Sequence, residues 1–140
     1  MKTLGSVLAV GLVLAVGTKA ADDKEGRPSG TWMYVTNEVD GKPTPPDDVK
    51  LMSLTIDGDK FTIKKGTEVV QSGTNKFDPS KKPATVDIEI TEGQDKGKKM
   101  LGIYELDGEK LKGCFDMAGK KRPEEFKGGP GLLLCELKKK

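Results

Sequence analysis

Few side chains in this 140-residue chain are able to do chemistry, and their spacing limits what that chemistry could be. Histidine is absent, which closes every mechanism that needs imidazole as base, proton shuttle or metal ligand. Cys114 and Cys135 are the two cysteines. Neither has a His to take its proton, so a catalytic thiol is not expected. Acids gather at Asp47-Asp48, at Asp57 and Asp59, and at Asp87, Glu89 and Glu92. A calcium loop needs oxygen ligands at alternate positions around a glycine, with a closing Glu. None of these groups has that pattern. Asp87 and Glu89 read more simply as the wet face of a strand. Gly128-Gly129-Pro130-Gly131 lacks the following helix and Lys-Ser/Thr pair of a phosphate loop. The chain is therefore read as no enzyme, with no metal and no cofactor.

Charge points the same way. The chain has 24 Lys and Arg against 22 Asp and Glu. Lys2 and Lys19 lie in its first 20 residues, which hold no acid, so the remainder is formally neutral. Lysine pairs such as Lys64-Lys65, Lys81-Lys82, Lys98-Lys99 and Lys120-Lys121 are scattered, offset by acids and not interleaved with aromatics. A nucleic-acid partner is not expected from such a surface. Exposed lysines on strands do serve to blunt edge pairing.

The elements that position these residues are strands. After Ser29 almost nothing has a helical period, and short β-rich runs alternate with turn chemistry every eight to twelve residues or so, as in sandwiches and barrels. Val86, Ile88 and Ile90 alternate with Asp87 and Glu89, giving one apolar and one wet face. Asp57-Gly58 and Asp107-Gly108 stand between alternating runs, and glycine there accepts the positive φ of a tight hairpin turn. Eight strands are predicted: 32–39, 50–56, 60–65, 68–77, 85–91, 99–106, 110–117 and 132–138. An antiparallel up-and-down meander of that size, closed into one barrel, hides both sheet edges. Pro45-Pro46-Asp47-Asp48 could hold a helical turn beside the barrel mouth. The gap from Ala118 to Gly131 is long enough for a functional loop or a cover over one end.

The start of the chain looks like an export signal. Met1-Lys2 opens a cationic stretch, and Leu4 to Val16 is an almost unbroken apolar run. As a helix those residues span about 20 Å, short of a hydrocarbon core of about 30 Å. Thr18 and Ala20 occupy the −3 and −1 places of a cut before Ala21. The division expected is a signal peptide at 1–20, a flexible lead-in at 21–29 and a barrel domain at 30–138. The destination would be periplasmic or extracellular, with no membrane association after cleavage.

Export makes a disulfide permissible. Strand parity opposes it: Leu111, Phe115 and Met117 share a face that excludes Cys114, whereas Cys135 falls with Leu133 and Leu137 on the inward set. Cysteines on opposite faces cannot bridge, because their Cβ vectors diverge. A bulge at Gly113 would reverse the parity, so free and bridged thiols both stay open.

Several motifs occur in order along the chain: Gly30-Thr31-Trp32, Asp40-Gly41-Lys42-Pro43, Gly102-Ile103-Tyr104-Glu105-Leu106-Asp107-Gly108, Leu111 with Cys114-Phe115, and Arg122-Pro123 with Phe126. Together they resemble a lipocalin-like domain family abundant in secreted planctomycete proteins. The resemblance covers 30–138 and implies an eight-stranded calycin-type barrel, but brings no activity or catalytic residue. It implies that Trp32 plugs the closed end and that Arg122 stacks across its indole. One departure is the run Lys138-Lys139-Lys140, where the family pattern would close a plain apolar strand on one cation.

Two functions follow. One is an exported barrel that binds a small, partly apolar ligand between Tyr34, Leu54, Ile63, Ile88 and Tyr104. The other is a structural or protein-interaction module whose interior is filled.

Overall fold

The computed structural model describes residues 26–140; the expected signal peptide and the first half of the lead-in lie outside the described residues. Eight long strands make up the sheet: β1 Gly30–Val39, β2 Met52–Asp57, β3 Lys60–Lys65, β4 Glu68–Asp78, β5 Ala84–Gly93, β6 Lys99–Asp107, β7 Lys110–Asp116 and β8 Leu132–Lys139. Each is antiparallel to the next, and β8 returns to pair with β1, from Leu133 opposite Val39 to Lys139 opposite Trp32. The barrel is closed. Every predicted strand is present, and its ends agree with the alternation to within two residues.

Local chemistry accounts for the turns. Asp57 pairs with Lys60 and Asp107 with Lys110, so each hairpin turns through two residues. The first of these is a glycine at φ +63° (Gly58) or +61° (Gly108), a conformation in which a Cβ would be strained. Between β1 and β2 a two-residue strand, Lys42–Pro43, pairs back onto β1. The one-turn helix α1, Pro46–Val49, follows with proline in its first turn and Val49 buried beneath it. Proline fits there because the first helical N–H groups have no partner within the helix.

Trp32 closes one end. Its side chain is 0 % exposed, and its indole Nε1 donates to the Ser29 carbonyl at 3.0 Å. Lys139 Nζ donates to the same carbonyl at 2.7 Å and lies 4.8 Å from the centre of the indole ring. A cation over an indole face contributes about 0.5–2 kcal/mol, more as water is excluded. The cation over Trp32 is thus Lys139 and not Arg122, correcting the expectation from the family resemblance. Cys135, Leu137 and Lys139 alternate inward along β8, so the terminal lysine run holds the cation that belongs there. Gly26 to Ser29, expected as part of a flexible lead-in, are bonded into this floor: the Gly26 carbonyl accepts from Tyr104 Oη at 2.7 Å, and Ser29 is buried.

Inside, aromatic rings need room that the strands must supply. Phe77 and Tyr104 meet edge to face at 5.2 Å between ring centres. The Phe115 ring lies against the backbone of β6 and β7, at Gly102 and Gly113. A Cβ on Gly102 would fall 2.3 Å from Phe115 Cδ2, and one on Gly113 2.9 Å from Phe115 Cε1. The two glycines therefore form a notch for that ring. Gly102→Ala is expected to destabilise the barrel by about 1–3 kcal/mol through overpacking. The double variant with Phe115→Leu should recover part of that loss in urea unfolding, since the residues are in direct contact; simple additivity would refute the notch.

Candidate functional site

The apolar alternation that builds the barrel leaves a cavity of about 80 Å³ within it, partly open to solvent. Tyr34, Leu54, Ile63, Ile88 and Tyr104, the five residues singled out from the sequence, all line it. They come from β1, β2, β3, β5 and β6, so closure of the sheet alone brings them together. Phe61, Val86, Met100 and Phe115 complete much of the remaining wall. Trp32 is not part of that wall; it is the plug below.

The wall is mostly hydrocarbon, with a few polar groups. Tyr34 is inward on β1, beside Cys135. Burial, with the Cys135 sulfur adding to it, pushes the Tyr34 phenol far above its ordinary value. Its hydroxyl makes no hydrogen bond among the described residues. Asn75 is buried on β4; its amide Nδ2 donates to the Gly58 carbonyl at 3.1 Å, and its Oδ1 is buried with no hydrogen-bond partner. Burial also pushes Tyr104 up to about 12, but its hydroxyl is already committed to Gly26. Lys112 touches the cavity wall, yet its ammonium lies 5.4 Å from the centre of the Phe126 ring, on the outer side. Sequence reasoning missed Asn75 and Cys135 as lining residues. Parity with Phe77 and with Leu137 was the signal that could have found them.

The cysteines stand on opposite faces. Cys114 is opposite Leu134 in the ladder, Cys135 is opposite Gly113, and both thiols are free and buried. Parity held because no bulge occurs at Gly113. Cys135 faces the cavity, and burial, chiefly, pushes its thiol up to about 12. Cys114 faces outward and is nevertheless 0 % exposed, beside the outward Ile103 at 1 %. The segment from 117 to 131 covers them both.

That segment is fastened to the barrel wall at several points. Arg122 Nη1 donates to the carbonyls of Gly102 at 2.8 Å and Val86 at 3.3 Å, while Nη2 meets Asp87 Oδ1 at 2.6 Å. Arg122 is therefore the latch of the long loop. Cys114 Sγ donates to the Lys127 carbonyl at 3.3 Å. The Asp116 carboxylate accepts the backbone N–H of Lys121, Lys120 and Ala118, which holds it below the usual carboxylate range, the Lys121 bond contributing most. At the far end Asp40 Oδ1 accepts from Gly131 N at 2.7 Å. The other acids are spread out: Asp47 is 3.5 Å from Lys50, and Asp48 is 3.0 Å from Lys65. Among the described residues no set of three or more His, Cys, Asp and Glu is placed to hold a metal ion, and no helix is long and apolar enough to cross a membrane.

No protein-family model matches the chain, and no curated protein does.

Two measurements check this arrangement. Both thiols should resist a thiol-specific disulfide reagent in the native protein and react fully in denaturant, since the fold buries both sulfurs away from the reagent; a missing thiol in denaturant would mean a bridge. Asp116 carries the usual sign for a depressed carboxylate. Its contribution is present above the ordinary carboxylate pKa and is lost as pH falls below about 4 through the folded value. Protection of the Lys120 and Lys121 amides, taken relative to their intrinsic exchange rates, should fall over that range in the natural chain. In Asp116→Asn it should be low at every pH.

Proposed function

We propose that this protein is an exported binding barrel of lipocalin-like type that holds a small, mostly apolar molecule in its interior. The observation that carries this is the 80 Å³ cavity, partly open and walled by Tyr34, Leu54, Ile63, Ile88 and Tyr104. Interiors otherwise pack to near-crystalline density. A void that persists amid five aromatic rings forfeits dispersion contacts which a guest would restore. The export signal and the motif string from Gly30 to Phe126 support the same reading. So does the inward face, whose groups bind without being activated: the Cys135 thiol is held in its protonated form near neutral pH, and the acids of β5 point out.

The size of the cavity favours a second reading. Pockets for drug-sized ligands run to about 300–1,000 Å³, and eight-stranded barrels can be filled by side chains alone. In that case the protein is a structural or interaction module. Native mass spectrometry on protein purified from its own envelope or culture fraction separates the two. Binding predicts a chain beginning at Ala21 that retains a small molecule released on unfolding. A bare chain in repeated preparations, together with no uptake of xenon, would leave the filled module.

A further inference from the structure

We propose that the interior selects an uncharged guest that bears one hydroxyl-type group, recognised by the phenol of Tyr34. This rests on the binding reading above and adds to it the chemistry of the ligand.

Buried tyrosine hydroxyls usually find a partner, because an apolar surrounding cannot replace the lost water. Tyr104 follows the rule through Gly26 at 2.7 Å. Tyr34, on the same cavity wall, is partly exposed; its hydroxyl has no protein partner among the described residues and is not fully buried. Asn75, which also lines the cavity, has its amide donor engaged with Gly58, yet its Oδ1 is buried and without a partner. The wall thus offers a guest one buried acceptor that nothing satisfies and one hydroxyl without a protein partner, able both to donate and to accept. An O–H on a guest can accept from the Tyr34 phenol, or donate to it or to Asn75. A hydrocarbon can do neither.

Charge narrows the class further. Burying a carboxylate or ammonium without a counterion is strongly unfavourable. The one cation on the wall, Lys112, keeps its ammonium outside against Phe126. The Cys135 thiol is protonated, and no acid lines the cavity. Size sets the rest: about 80 Å³ is roughly half of an apolar cavity that takes benzene, so a guest or inserted tip of about three to five non-hydrogen atoms fits.

The test compares four-atom guests branched at one carbon: propan-2-ol, 2-methylpropane and acetate, titrated against the purified chain and followed through the methyl NMR signals of Leu54, Ile63 and Ile88, with xenon as an inert reference. Tyr34→Phe should bind 2-methylpropane as the natural chain does and lose about fivefold or more in propan-2-ol affinity, the usual worth of one hydrogen bond. Acetate should not compete. Without guests, Tyr34→Phe should melt at the same or a higher temperature, because the hydroxyl it removes has no partner. An unchanged alcohol-to-hydrocarbon ratio, competition by acetate, or a marked loss of guest-free stability would each overturn the inference while leaving the binding barrel intact. If neither xenon nor 2-methylpropane moves those methyl signals, the binding reading itself fails.

Discussion

The pairing of β8 with β1 is the constraint on which everything else depends. It closes the sheet, and closure gives the chain an inside and an outside. The 36 apolar residues that follow residue 20 would not cover two broad sheet faces, but they do fill one narrow cylinder. The same pairing sets Lys139 opposite Trp32, so the last strand and the first jointly finish the closed end. The Ser29 carbonyl there receives both the indole N–H and the lysine ammonium. One backbone oxygen thus locks the plug, the cation over it and the N-terminal approach to the barrel.

A second, smaller core lies outside the barrel. Ile103 and Cys114 face away from the interior and are almost fully buried, because the segment from 117 to 131 is drawn over them. Arg122 suits that task. Its planar fork reaches two carbonyls and a carboxylate at once, which a lysine could not do from one position. The loop therefore thickens the wall of β5 to β7 and leaves the interior untouched. It is a buttress. The interior, by contrast, keeps its void through what the wall lacks: Gly102 and Gly113 hold Phe115 flat against the strands, and without them the ring would be forced inward.

Much of this was legible in the alternation of residue types. Val86, Ile88 and Ile90 announce an inward face, Asp-Gly pairs place the hairpins, and parity separates Cys114 from Cys135. Two things were not legible. Ile103 and Cys114 violate nothing locally, and only a distant loop decides that an outward residue is buried. Nor could spacing say which cation reaches Trp32. Arg122 was a reasonable choice by type, since arginine is scarce here and stacks well on aromatics, but ring contact depends on which strand end lies beside which.

The order of apolar and polar residues, with glycine at the turns, determined by itself that the chain forms eight strands and which side of each faces in. Those are local properties: the pleat has a period of two, and a turn needs its positive φ within a few atoms. Tertiary structure alone decided the volume left inside, the unsatisfied Oδ1 of Asn75, and the exchange of Lys139 for Arg122. These are sums over strands far apart in sequence. They take a value only once β8 has met β1.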